Sequence, residues 1–324
     1  MGQFESDGTS PRQCAESPTV RVAICGDSAL GAVMADDVGA HDIIQAQLSK
    51  RLAAVGTILR ADAIAYSGPI EDRAERVLKR IIESIDKRKN RLVVILETGG
   101  GLIEAAELMA NTFRYNYRYV DFVIPWQAMS AGTVLAMVGD NIYMDYASVL
   151  GPIDPQVMGS GGAWVPALGY LEQYERLVSK SAAGDLTNAE MAYLLQNFDP
   201  AEMYKYEQAK DLSRALLKEW LAKYKFRGWK VTETTKTKVT PTMRRDRAED
   251  VANKLLATDR WHSHSRGISM EVLRRELKLK IEDYGANKHL REAVKNYTDL
   301  LVDYRLQNHH HYMAVNWRDG YHGF

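Results

Sequence analysis

The chain has 324 residues, of which 46% are hydrophobic and 26% are charged. This composition is typical of a folded globular protein and argues against a disordered or fibrous chain. Its 42 basic and 42 acidic residues cancel, so the overall charge does not indicate binding to nucleic acid or to an anionic membrane.

Neither the cysteines nor the apolar stretches indicate a secreted or membrane-bound chain. Cys14 lies in a polar leader and Cys25 in an apolar run, so no disulfide bridge is expected between them and a reducing compartment is favoured. The leader, residues 1–18, lacks the apolar core of a signal peptide. The most apolar stretch, 123–137, is shorter than the roughly 20 residues that a spanning helix needs. We therefore expect a cytoplasmic protein without a membrane anchor.

No metal or cofactor site is predicted. The histidines and cysteines do not have zinc spacing, and the sequence contains no EF-hand or P-loop pattern. Three consecutive histidines stand at 309–311 in an aromatic C-terminal tail, but three adjacent side chains are poorly placed to bind one ion. We expect this tail to be a surface segment.

The first half of the chain alternates between predicted strands and helices. In chain order these are a strand at 19–25, a helix at 41–56, a strand at 63–66, a helix at 74–85, a strand at 92–96, a helix at 102–113, a strand at 120–124, a short helix at 130–133 and a strand at 141–144. The run at 92–96 is apolar throughout, as in a strand buried on both faces of a parallel sheet. This order with short loops implies right-handed crossovers, so an α/β fold is predicted.

Beyond residue 165 the pattern becomes helical. Helices are predicted from 168, over 203–224, over 242–257 and over 269–280, and the polar segment 228–241 is either a surface loop or a short hairpin. The predicted organisation is a leader at 1–18, an α/β core at 19–185, a helical extension at 186–308 and the tail at 309–324.

Two segments of the core contain the residue types that acyl transfer requires. They are LETGGGLIEAAELM, which begins at Leu96, and WQAMSAGTVLAMVGDNIYMDYASVLGPIDPQ, which begins at Trp126. Each follows a predicted buried strand, and the carboxyl ends of parallel strands share one crevice. A serine at a helix start presents a nucleophile, while a glycine-rich turn presents backbone N–H groups to an oxyanion.

These segments resemble the glycine motif N-S-P-G-G-x-x-x-x-A and the nucleophile helix A-x-S-A/G-G-x-x-x-A of ClpP and signal peptide peptidase A. The wording LGPIDPQ and the length are similar to those of the serine dehydrogenase proteinase (SDH protease) family within the ClpP–crotonase superfamily. The resemblance implies a spiral β/α core in which Ser130 attacks a peptide carbonyl. It also implies an oxyanion hole made by the N–H of Ala131 and that of Gly100 or Gly101. The N-S-P residues are replaced here by Glu97-Thr98-Gly99.

The general base is less evident than the nucleophile. No histidine occurs between His41 and His262, which disfavours a Ser-His-Asp triad of the ClpP kind. Signal peptide peptidase A instead uses a lysine in a downstream segment, and by this resemblance Lys180, in Ser-Lys-Ser-Ala, is the expected base. A lysine base must be neutral, so Lys180 is expected to be buried. Asp154 is the reserve candidate, since its Pro-rich turn is expected to touch the site.

The resemblance also implies partners. Proteases of this superfamily assemble into rings, so a homo-oligomer is expected with the C-terminal helices in its contacts. The substrate is then a peptide or protein, bound as an added strand along the turn at Gly99–Gly101.

Three alternatives stay open. A lipase of the GDSL class would use Ser28, in Gly-Asp-Ser, and His322. A crotonase-type acyl-CoA enzyme would use Glu97 or Glu104 and leave Ser130 idle. The third alternative is a non-catalytic scaffold that binds a peptide or a partner subunit, and an exposed Lys180 would favour it.

Overall fold

A computed structural model describes residues 39–153, 156–158, 164–261, 263, 266–310, 313–317 and 320–323. The predicted strand at 19–25, both cysteines and Ser28 lie outside these residues, as does the predicted leader.

The predicted parallel core is confirmed. The strands are β1 (Asp62–Ser67), β2 (Arg91–Glu97), β3 (Tyr119–Val123), β4 (Gln127–Ala128), β5 (Asn141–Met144), β6 (Val149–Leu150), β7 (Gln156–Met158), β8 (Trp164–Pro166), β9 (Ile268–Ser269), β10 (Glu282–Asp283), β11 (Ala314–Trp317) and β12 (Gly320–Gly323). The main sheet has the order β10-β5-β3-β2-β1-β11-β12. It is parallel from β10 to β1 and antiparallel beyond. A small sheet, β4-β6-β9, stands beside it.

Helices cover both faces of the main sheet. They are α1 (Ala40–Ile58), α2 (Asp72–Ser84), α3 (Ile103–Asn116), α4 (Ala131–Ala136), α5 (Ala167–Ala183), α6 (Asn188–Asn197), α7 (Pro200–Trp220), α8 (Pro241–Leu256), α9 (Thr258–Trp261), α10 (Met270–Arg275) and α11 (Lys288–Gln307). One apolar core joins the sheet to α2, α3, α4, α7 and α8, and a second joins it to α1 and α11. Because both faces are covered, β2 is apolar along its length, as the sequence analysis expected.

The C-terminal tail is not the surface segment that was expected. Its described residues form the hairpin of β11 and β12, and β11 pairs antiparallel with β1. Met313, Ala314 and Val315 are buried, and Asn316 donates from Nδ2 to the carbonyl of Gly320 at 2.6 Å. The tail is recruited because β1, a buried strand, needs a partner for its open edge.

The helix predicted at 269–280 was too long. Helix α10 ends at Arg275, and Lys278 adopts a φ of +48°, which an α-helix cannot accommodate. The following residues place Leu277 and Leu279 in the core and continue into β10, which pairs with β5. The segment 228–241 does form a small hairpin, with an antiparallel bridge between Val231 and Lys238.

Helix α7 continues into a π-helical turn, Leu221–Lys225, that buries a lysine. Only 9% of Lys225 is exposed, and none of the described residues forms a hydrogen bond or ion pair with its amine. Burial lowers the pKa of Lys225 from 10.5 to about 8, against the opposing effect of Glu282 and Asp121. A π-turn adds one residue to a helical turn, which was not predicted from the sequence.

Replacing this lysine is expected to stabilise the protein. The unfolded chain keeps the Lys225 proton up to about pH 10.5, whereas the folded chain loses it near pH 8. The free energy of unfolding therefore rises as pH increases between these values, and below about pH 8 the buried charge costs on the order of 3 kcal/mol. Urea unfolding of Lys225→Met at pH 7 should show greater stability and a weaker rise toward pH 10, whereas exposed Lys295→Met should not. If the free energy of unfolding of Lys225→Met depends on pH as that of the original chain does, Lys225 does not have a lowered pKa in the folded state.

Among the described residues, no helix is both long and apolar enough to span a lipid bilayer.

Candidate active site

Ser130 stands on a sharp turn between β4 and α4. It has φ +50° and ψ −118°, which is a strained conformation for a residue with a side chain. A strand, a strained serine and a helix in succession are typical of a nucleophile elbow, which turns the hydroxyl out of the backbone. The sequence predicted the helix start at Ser130, but the strain was not predictable because it arises from packing around the turn.

The ends of β2 and β4 meet at this turn. Thr98, directly after β2, forms a parallel bridge with Ala128 in β4. Thr98 N–H donates to the carbonyl of Gln127, and Met129 N–H donates to the carbonyl of Thr98, both at 3.0 Å. These bonds place the glycine segment and the nucleophile segment side by side, as the sequence analysis expected.

The glycine turn packs directly against Ser130. A Cβ atom placed on Gly100 would lie 2.8 Å from the Cβ of Ser130, so only glycine fits here. Gly100 and Gly101 also have positive φ values of +104° and +148°, which favour glycine. The turn therefore requires glycine so that its backbone can lie close to Ser130.

The backbone N–H groups of the turn differ in their partners. Gly100 N–H donates to Thr98 Oγ1 at 3.0 Å. Ile70 N–H donates to the Gly100 carbonyl and Leu102 N–H to the Ile70 carbonyl, so the N–H of Gly101 points away from Ile70. Within the described part of the chain, neither Gly101 N–H nor Ala131 N–H has an acceptor.

Thr98 and Thr133 hold the site together, and neither was singled out as a site residue from the sequence. A Cβ on Gly132 would lie 2.3 Å from Thr98 Cγ2, so the methyl group of Thr98 fills the space beside α4. Thr133 Oγ1 lies 2.8 Å from the carbonyl oxygen of Ala128 and 2.9 Å from that of Gly151, so its single proton is shared between these two acceptors. The sequence signal that could have found Thr98 is its position between an apolar strand and a glycine turn.

Removing the Thr98 hydroxyl is expected to loosen the turn. Thr98→Val keeps the shape of the side chain but leaves the buried Gly100 N–H without its acceptor. We expect the free energy of unfolding to fall by about 1–3 kcal/mol. Urea denaturation measures this loss, with Thr57→Val as the control, because Thr57 bonds only within its own exposed helix face. Equal stability of the two variants would show that the Thr98 hydroxyl does not stabilise the glycine turn.

Lys180 is not buried, contrary to the sequence-based expectation. It lies near the end of α5 with 44% of its side chain exposed, and its Nζ donates to Glu190 Oε1 at 2.5 Å. This ammonium, together with bonds from Thr187, lowers the pKa of Glu190 to about 2. The error has a physical cause: Leu177 is the last buried residue of α5, and the turn that follows it, including Lys180, is not covered by other elements and is exposed. Its role as a base stays a prediction.

The remaining candidates that the structure describes lie on elements other than the Ser130 turn. Asp154 and Ser28 lie outside the described residues. His322 is exposed on β12, opposite Val315 in the register of the hairpin. Glu104 is exposed on α3, whereas burial raises the pKa of Glu97, which lies near Arg305.

Metal-binding clusters of three or more His, Cys, Asp or Glu residues do not occur in the part of the chain that the structure describes.

The region that contains Ser130 and the glycine turn is similar in sequence to a known protein family. Residues 43–193 match the family model described as ClpP-like SDH-type serine proteinase. Two uncharacterised proteins of Methanocaldococcus jannaschii are 30% identical over 175 residues and 34% identical over 123 residues. These matches cover 52% and 36% of this chain and 56% and 42% of the relatives. The chain thus spans about half the length of the curated relatives it matches.

Three solved structures are similar to this chain at low sequence identity and low TM-score. Two are of the 1510-N membrane-bound stomatin-specific protease: a serine-to-alanine mutant (12% identity, TM-score 0.41) and a lysine-to-alanine mutant in complex with a substrate peptide (14%, 0.42). Both cover 70% of this chain, and 80% and 75% of their own. ClpP1 from Listeria monocytogenes has 16% identity and a TM-score of 0.29, covering 49% of this chain and 91% of its own.

Proposed function

We propose that the chain is a serine peptidase of the ClpP-like SDH type, whose family model matches residues 43–193, with Ser130 as its nucleophile. The observation that carries the proposal is the strained turn of Ser130 packed against the glycine turn. A hydroxyl at such a turn attacks the carbonyl carbon of a peptide bond and forms an acyl-enzyme. The hydroxyl proton passes to a base and then to the leaving amine, and water releases the acyl group.

We assign the oxyanion hole to the N–H groups of Ala131 and Gly101. Both lack an acceptor among the described residues, so each is available to developing negative charge. Gly100 N–H is already engaged by the hydroxyl of Thr98. Gly100 then serves by its lack of a side chain, which lets the turn approach Ser130.

The substrate is proposed to be a peptide in extended conformation. The edge of the glycine turn opposite Ile70 presents the carbonyl of Gly101, a backbone acceptor for an N–H of an added strand, while the N–H of Gly101 faces the scissile carbonyl. Main-chain pairing of this kind positions a scissile bond beside Ser130 without requiring a particular side chain.

For the base, we propose Lys180 in an assembled form of the protein. Helix α6 has no buried residue, and α5 and α6 expose Val178, Met191, Tyr193 and Leu195. Such an apolar surface is typical of a contact between subunits. If α5 and α6 were buried in the contact between subunits of a homo-oligomer, water would be removed from Lys180 and its ion pair with Glu190 would be weakened. Both changes favour the neutral amine of Lys180. The cytoplasmic location expected from the sequence is part of this proposal.

The lysine assignment has a direct kinetic test. We expect Lys180→Ala to lower kcat by about 10²–10⁴-fold on a peptide substrate, the usual contribution of a general base. Lys205→Ala is the matched control, because Lys205 is exposed on α7 and outside the site. Native mass spectrometry of both variants checks that assembly is unchanged. Full activity in Lys180→Ala would exclude it as the base.

The proposed function is tested by labelling with a fluorophosphonate probe, which modifies only activated serines. We expect modification at Ser130, located by mass spectrometry of tryptic peptides, together with hydrolysis of a fluorogenic peptide. Modification at Ser28 instead would support an esterase of the GDSL class.

A non-catalytic scaffold is the second candidate, because Lys180 is exposed and paired with Glu190. A scaffold keeps the peptide-binding edge but lacks an activated hydroxyl. Peptide binding without any labelling of Ser130 in the assembled protein would therefore favour the scaffold over the enzyme.

A further inference from the structure

A second site lies among the C-terminal helices. A surface pocket of about 380 Å³ is formed by the end of α7, the π-turn and the first turns of α8. None of its lining residues belongs to the Ser130 site. Its volume is within the range of pockets that hold small molecules.

The pocket is strongly basic although the chain as a whole is neutral. Four cations line it, at Lys218, Lys223, Arg244 and Arg245. Glu219 lines the pocket and pairs with Lys223, while Glu249 pairs with Lys218 at 2.8 Å. Four positive charges less these two negative ones leave +2, carried by the two arginines. No carboxylate of the described residues pairs with either arginine.

Arg244 is half-buried in the wall of the pocket and is held there by one hydrogen bond. Arg244 Nη2 donates to the carbonyl of Trp229 at 3.0 Å. Its Nε, however, is shielded from water and has no acceptor within the described residues. Since a nitrogen that is closed to water is also closed to a ligand, the donor that Arg244 offers to the pocket is Nη1, which has no acceptor among the described residues.

The start of α8 adds to the positive potential. Helix α8 has 16 residues, begins at Pro241 and has no acidic residue in its first turn. Arg244 and Arg245 follow directly, where the helix dipole disfavours cations. Local sequence thus conflicts with helix stability, and such conflicts are expected at functional sites. A bound anion removes the conflict.

We propose that this pocket binds the phosphate or pyrophosphate group of a small molecule. The guanidinium groups of Arg244 and Arg245 offer charged N–H donors to phosphate oxygens, and the two lysines add positive charge around them. The proposal is independent of the peptidase chemistry, because the pocket shares no residue with the Ser130 site.

The test is isothermal titration calorimetry of the full chain with sodium pyrophosphate at constant ionic strength. We expect saturable binding at one site per chain, weakened about 10–100-fold in Arg245→Gln, since a charge-assisted hydrogen bond is lost. Arg245 is exposed, so this variant is expected to fold. Arg275→Gln is the control, because Arg275 is equally exposed and lies on α10.

Titration with adenosine diphosphate distinguishes the source of the phosphate. Tighter binding than pyrophosphate indicates a nucleotide, and equal binding indicates recognition of the phosphate group alone. Ser130→Ala should bind pyrophosphate unchanged. The proposal is overturned if neither compound binds, or if Arg275→Gln weakens binding as much as Arg245→Gln does.

Discussion

Ser130→Ala is expected to lower kcat for peptide hydrolysis by about 10⁴-fold or more, with little change in KM. The hydroxyl forms the bond to the acyl group, so no neighbouring residue substitutes for it. Binding of the peptide depends instead on the backbone of the glycine turn, which the substitution leaves in place. Initial rates with a fluorogenic peptide measure the effect, and Ser84→Ala is the control because Ser84 bonds only within α2.

Ser130→Gly adds a second readout. Glycine adopts φ +50° without strain, so this variant is expected to be inactive yet about 1 kcal/mol more stable in urea. Gain of stability with loss of activity indicates strain that is kept for function. If Ser130→Ala retains wild-type rates, the nucleophile lies elsewhere in the chain.

Gly101→Ala is expected to destabilise the protein by about 3 kcal/mol or more and to abolish labelling of Ser130. A Cβ at this position would lie 2.1 Å from the carbonyl oxygen of Ile70, and the φ of +148° is unfavourable for alanine. The backbone of the turn must move to relieve this contact, which displaces the proposed oxyanion donor.

Gly99→Ala is the matched control in the same turn. A Cβ on Gly99 meets no atom within 4 Å, so we expect its stability to stay within about 1 kcal/mol of the original. Urea denaturation and fluorophosphonate labelling of the two variants give the comparison. Comparable behaviour of the two would mean that Gly101 does not constrain the turn.

Much of the fold was predictable because local pattern and tertiary role agree. Buried strands such as β2 are continuous apolar runs, and α2 shows a clear amphipathic pattern. The pairing of a glycine turn with a serine at a helix start followed from the rule that parallel strands end in one crevice. The SDH-type family match over residues 43–193 agrees with that reasoning.

The errors occurred where a residue's environment is made by distant parts of the chain. The tail became β11 and β12 because β1 had an open edge, and nothing near residue 314 in sequence indicates this. Lys180 was expected to be buried because a lysine base must be neutral. Its exposure depends on where α7 and α6 cover α5, which sequence spacing does not specify.

By itself, the sequence determined the α/β class and singled out Ser130 and the glycine turn as candidate site residues, because hydrophobic period and residue type are local properties. Only the tertiary structure decided that Ser130 is strained, that Thr98 engages Gly100 and that Gly101 N–H is available. It also decided that basic residues of α7 and α8 share one pocket. The physical reason is that strain, burial and hydrogen-bond satisfaction depend on which segments pack together, and packing joins residues far apart in the chain.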